Sequence, residues 1–192
     1  MKGETFKGYA CAGQTIELGE RKGLRFVAEL HPDEDHSAPW EECDGHGPVS
    51  DWTSRGKSPG ELVLCDDNPS GLRGRTNRRF YDFQKACRIA RLAGWGVKGG
   101  KQEGETNRAY AARSARHDFE ALRAWCNDEW QYVGVCVTAY HGETDIELAS
   151  ASLWGIECNY PGSDNSYLDD VAQELMDEAQ SEAESILGRL AA

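Results

Sequence analysis

The chain has 192 residues, 39% hydrophobic and 28% charged, a size and balance that suit one globular domain with a sizeable core. Its apolar runs fall far short of the roughly 20 residues a membrane-crossing helix needs, and its opening residues hold no apolar stretch of signal-peptide length, so neither a membrane role nor secretion is expected. The formal charge of −12 is segregated, with 5 basic and 11 acidic side chains in residues 1–54, 15 and 8 in 55–123, and 1 and 14 in 124–192; this argues against a general nucleic-acid binder and for an acidic surface offered to a basic partner.

In chain order, a β pair comes first: GYACAGQTIEL, a turn at GERKG, then LRFVAEL, in which Leu24, Phe26, Ala28 and Leu30 alternate with Arg25, Val27 and Glu29. The second strand feeds HPDEDHSAPWEECDGHGPVSDW, residues 31–52, where Pro32, Pro39 and Pro48 interrupt any ladder. Residues 31–60 therefore read as a long ordered acidic loop pinned by Trp40 and Trp52. ELVLCDD is a short strand, and the glycine- and arginine-rich residues 68–79 a flexible connection. From Phe80 the spacing turns helical, with Phe80, Phe83, Cys87 and Ala90 on one face and Gly94 as the stop. After a second glycine-rich connection at 94–105, a helix runs from Thr106 to Asn127 on Ala111, Ala115, Phe119, Leu122 and Cys126.

QYVGVCVTAY (131–140) is the clearest strand, and SASLWGIE returns as an interior strand with both faces apolar. The C-terminal helix, 166–190, starts at Ser166 in an S-x-x-D pattern with Asp169 and sets an apolar stripe against Asp170, Glu174, Asp177, Glu178 and Glu184. This order predicts a single α+β domain over residues 1–192, a mainly antiparallel sheet of about 4–5 strands with three helices packed on one side.

The seven cysteines are odd in number, dispersed and never spaced as CxxC, which argues against a disulfide framework or a zinc ribbon and for a reducing cytoplasm. Cys87, Cys126 and Cys136 read as small buried hydrophobes. The 31–52 loop gathers three histidines and seven carboxylates, so His31, Asp33, Asp35, His36 and His46 are candidate ligands for a divalent metal, although no HExxH spacing is present. Metal-free acid–base work would use His36 or His46 as base with Asp35 or Asp44 as orienter. No cofactor is expected, and a divalent metal is the alternative. Arg73, Arg75, Arg78, Arg79, Lys85, Arg88 and Arg91, with Tyr81 nearby, are candidates for phosphate or nucleic acid; GLRG and GWGVKGG match no phosphate-loop motif. Glu174, Asp177 and Glu178 on the lysine-free C-terminal helix, with Trp40 and Trp52, are candidates for partner binding.

HPDEDHSAPWEECDGHGPVSDWT, RRFYDFQKACRIARLAGWG, LRAWCNDEWQYVGV and SLWGIE together resemble a family of small acidic proteins of tailed bacteriophages and prophages, over roughly residues 24 to 180. The resemblance implies phage origin and action in the bacterial cytoplasm; it brings no reaction with it and carries over no catalytic residue. The leading expectation is a non-enzymatic accessory protein that binds a host or phage macromolecule, such as a nucleic-acid-handling or defence enzyme, through its acidic surface. A metal-dependent hydrolase or nuclease centred on residues 31–46 stands second, and nucleic-acid binding through Arg73–Arg91 third.

Overall fold

The computed structural model describes residues 4–42, 45–68, 76–142 and 144–191. Among them the elements in chain order are β1 (Thr15–Arg21), β2 (Leu24–Pro32), α1 (Pro39–Glu42), β3 (Glu61–Asp66), β4 (Arg78–Asp82), α2 (Phe83–Ala93), α3 (Asn107–Cys126), β5 (Gln131–His141), β6 (Glu147–Cys158) and α4 (Ser166–Leu190). They form two compact units, the first made of Met1–His36 with Trp130–Ala192 and the second of Ser37–Glu129. The fold is α+β with mainly antiparallel pairing, but the helices do not share one sheet as expected. A four-stranded sheet belongs to the first unit and a separate two-stranded one, β3–β4, to the second.

In the first unit the strands run in the order β1-β2-β5-β6, each antiparallel to its neighbour. Lys22 and Gly23, both at positive φ, make the tight two-residue turn that suits strand twist, so most of GERKG is strand rather than turn. Alternation then decides which side chains are buried. Leu24, Phe26, Ala28 and Leu30 of β2 and Val133, Val135 and Val137 of β5 are all fully buried beneath Leu168, Ala172, Leu175, Met176 and Ala179 of α4. Each large apolar side chain there contributes roughly 1.5–3 kcal/mol of burial.

β6 is an edge strand, not the interior strand its apolar residues suggest. It carries an extra residue opposite Val133–Val135, with Gly155 at φ 76 taking up the kink. The start of α4 also differs from expectation. Asn165, left-handed and buried, precedes Ser166, and the Asp169 carboxylate accepts from the Phe6 amide at 2.7 Å instead of completing a capping box. Asn165 Nδ2 donates to the Gly8 carbonyl, and the Ala10 amide donates to Asn159 Oδ1, so these contacts tie the N-terminal segment down.

In the second unit, helical spacing from Phe80 does not produce a helix there: Phe80 and Tyr81 are strand, and α2 begins at Phe83 after Asp82 caps the Lys85 amide. Gly94 ends α2 in the left-handed conformation, and Thr106 caps α3 through the Ala109 amide. Parts of the predicted 31–60 loop are regular. His31 and Pro32 finish β2, Pro39–Glu42 make one helical turn, and Val49 and Thr53 bridge to Tyr81 and Arg78. Leu64, Tyr81, Ala86, Ala115, Phe119 and Leu122 form a small core.

Cys65 of β3 and Cys126 at the end of α3 are joined in a disulfide, their Cα atoms 5.7 Å apart and 61 residues apart in sequence. This overturns the reading of the cysteines as thiols without disulfides. The two are far apart in the chain and meet only through the packing of α3 on β3, which no spacing rule reveals. Among the described cysteines, Cys11, Cys87, Cys136 and Cys158 are free.

Candidate functional site

The expected metal and acid–base residues fall in both units. His31, Asp33, Asp35 and His36 belong to the first, and His46 to the second. At the end of β2, Asp33 bonds the sheet with its backbone and its side chain, its amide donating to the Tyr132 carbonyl (3.1 Å) and its Oδ2 accepting from the Gly155 amide (2.9 Å). The chain turns there so that the His36 ring stacks on Tyr132, with centroids 3.6 Å apart. His31 lies 3.6 Å from the Glu29 carboxylate and 6.2 Å, ring to ring, from Trp154, while Asp35 is exposed. Trp154 sits on the sheet face opposite α4, its ring over Gly134, and its indole N–H donates to Ser152 Oγ. Among the described residues no three histidine, cysteine or acidic side chains are grouped so as to hold one metal ion.

His46 has a carboxylate orienter, though not one the sequence reading named. Asp118, on the buried side of α3, holds His46 Nδ1 at 2.6 Å, the Gly47 amide at 2.8 Å and the Tyr81 hydroxyl at 2.6 Å. A carboxylate only accepts, so all three neighbours donate, and in the neutral imidazole of His46 that makes Nε2 the acceptor. Burial, and next the Asp118 carboxylate, push the Tyr81 hydroxyl well above its ordinary range, which keeps it a donor. Asp44, the expected orienter, lies outside the described residues, and Asp35 belongs to the other unit. One signal for Asp118 was present in the sequence. It falls at helical spacing among Ala111, Ala115, Phe119 and Leu122, an acid on an apolar face that must be paired when buried.

The arginines divide into engaged and unengaged groups. Arg73 and Arg75 lie outside the described residues. Arg78 pairs with Asp66 at 2.8 Å, lowering the Asp66 carboxyl below its usual range. Arg79 lies over the rings of Trp40 and Trp52 and donates to the Ser50 carbonyl. Arg55 grips Glu61 with two bonds of 2.7 Å and holds that carboxyl down at about 2; Arg113 does the same to Glu105. Arg88, Arg91 and Arg108 make no ion pair with a described residue and line a cleft beside α2 and α3. Burial pushes the free Cys87 and Cys136 thiols up, away from a reactive thiolate.

Of the expected partner-binding residues, Trp40 packs edge-on against Trp125, and its buried indole N–H has no acceptor among the described residues. Trp52 is half exposed beneath Arg79. Glu174 and Glu178 are exposed on α4, where Asp177 pairs with Arg21. Trp154 was not among these candidates, because its place in SLWGIE reads as an interior strand; the bulge at Gly155 and the edge position leave it 50% exposed. No helix is long and apolar enough to cross a membrane among the described residues. No protein-family profile, curated protein or solved structure matches this chain.

Proposed function

We propose that this chain is a binding module, an accessory protein of a tailed phage that engages a basic surface on a host or phage protein in the bacterial cytoplasm. The observation that carries this reading is Trp154, half exposed on an open sheet face of a unit with 6 basic and 19 acidic residues. A large aromatic anchor with a charged surround is the composition that interface hot spots favour, and a field of one sign steers an oppositely charged partner. The outer side of α4, on the other side of the sheet from Trp154, adds to the unit's overall negative field through Asp170, Glu174, Glu178 and Glu182. The grooves of nucleic-acid-handling enzymes offer the complementary charge.

The test is capture from a bacterial extract by the immobilised chain, compared with Trp154→Ala and with Glu174→Lys/Glu178→Lys. A specific protein retained at low salt, released near 1 M salt where screening is nearly complete, lost in Trp154→Ala and weakened in the charge-reversal variant is the expected result. Capture indifferent to salt and to both variants would remove the reading.

The 2.6 Å His46–Asp118 pair favours a second reading, metal-free general-base chemistry at His46 Nε2. Turnover of generic ester or phosphodiester substrates that disappears in His46→Gln would support it. Turnover no higher than that of the variant would end it.

A further inference from the structure

Arg88 and Arg91 stand three residues apart on α2, where side chains are neighbours and like charges repel. Arg108 lies in the first turn of α3, at the positive end of the helix macrodipole, where an acid is the stabilising choice. All three are exposed, and none pairs with a described carboxylate, although Arg55, Arg78 and Arg113 of the same unit each do. The Arg88–Arg91 repulsion and the placing of Arg108 are thus left uncompensated by any described carboxylate, although Arg91, in the last turn of α2, is favoured by that helix's own dipole.

The three arginines line one cleft of about 750 Å³, a volume within the range of small-molecule sites, whose apolar lining includes Phe83, Cys87 and Ala111. The Arg116 guanidinium lies 4.7 Å over the Phe83 ring and adds a fourth positive charge close by. Guanidinium groups suit phosphate because their forked donors match its oxygens, and an aromatic ring beside them suits a flat base.

We propose that this cleft binds a phosphorylated small molecule of nucleotide size, its phosphate held by Arg88, Arg91 and Arg108 and its flat apolar part set against Phe83. The site uses neither Trp154 nor the acidic helix, so it stands independently of the protein-binding reading.

Calorimetric titration of the whole chain with adenosine monophosphate, inorganic phosphate and adenosine tests this. Expected is saturable one-to-one binding of the monophosphate, weaker binding of phosphate and the least for adenosine. An Arg88→Gln/Arg108→Gln variant should lose about tenfold or more in affinity, from its missing charged hydrogen bonds. Arg189→Gln and Trp154→Ala should bind as the parent does, and unchanged melting of the double variant would show that it folds. Absence of saturable binding by both monophosphate and phosphate would overturn the proposal, as would affinity unchanged in the double variant. Binding of a single-stranded oligonucleotide without the mononucleotide would overturn it too, by making the arginines a nucleic-acid surface instead.

Discussion

Around Val133, Val135 and Val137 the first unit buries a mainly aliphatic layer of sheet against one helix, and among its described residues no carboxylate or histidine is buried. The second unit is built around Asp118, with a histidine, a tyrosine and a backbone amide gathered on one carboxylate and a disulfide at the far end of the same helix. Its apolar cluster is smaller. The difference lies in how each resists damage. An aliphatic layer loses stability in increments as methyl groups are removed, whereas a polar knot leaves several buried donors unpaired when one acceptor goes.

The largest expected effect follows from that knot. Asp118→Ala strips the acceptor from the Gly47 amide and from His46 Nδ1 and leaves the Tyr81 hydroxyl only the Ala115 carbonyl at 3.1 Å, and at about 1–3 kcal/mol for each unsatisfied group the loss is on the order of 4 kcal/mol. Hydrogen exchange should show protection lost in β4, α2 and α3 but kept in β5. Equal loss in both units would erase the distinction between them.

Opening the Cys65–Cys126 bond should rank next. It closes a loop with a sequence separation of 61, for which the chain-entropy account gives about 4 kcal/mol. Reductant, or Cys65→Ala with Cys126→Ala, should lower the melting of the second unit and leave the first unchanged. A protein acting in a reducing cytoplasm has to hold this unit without the bond, so the reduced melting temperature also bears on where the chain can work.

Gly47→Ala comes third. A Cβ there would stand 2.4 Å from the Tyr81 hydroxyl oxygen, and Tyr81 is fully buried and held by Asp118. With no room for the ring to yield, overpacking should take about 1–3 kcal/mol, read from the urea midpoint. A variant as stable as the parent would mean the knot is looser than its distances indicate.

The same contrast explains what the sequence could reveal. In the first unit the alternation at Leu24–Leu30 and Val133–Val137 and the stripe on α4 are local periodicities, so strands, helix and buried faces were legible. The exceptions, β6 at the edge and Asp169 turned to Phe6, depend on what lies beside them in space. In the second unit α3 was legible, but Phe80 carried a helical spacing that pairing with Val63 overrode. His46 was visible as a candidate base; its orienter, 72 residues away, was visible only as an acid on an apolar face.

Acid should weaken both units, since in the first the Ser166 hydrogen bonds and Lys7 hold the Asp164 carboxyl down at about 2, but the second unit's share can be isolated. Arg55 holds the Glu61 carboxyl at about 2 against an ordinary 4.5, so its contribution is whole above pH 4.5 and is lost as pH falls toward 2. Glu105, held by Arg113, behaves alike in the same unit. Glu61→Gln should therefore flatten the decline of the second unit's urea midpoint over that window and leave the first unit's curve in place. An unchanged slope would show that the Arg55 pair does not contribute to the acid response.

The smallest expected effect is Gly134→Ala, which on distance alone should match Gly47→Ala. Its Cβ would stand 2.4 Å from the Trp154 ring, the same clearance that Gly47 leaves at Tyr81. Trp154, however, is half exposed and held by one side-chain bond to Ser152, so the ring can swing into solvent. Stability should change by no more than about 1 kcal/mol, the ordinary scale for substitutions away from a packed core. Trp154 emission should shift as the indole leaves the sheet, and if that ring is the anchor for a basic partner, capture should weaken while melting barely moves. A loss of stability as large as that of Gly47→Ala would place Trp154 in the unit's packing and take away its role as a free anchor.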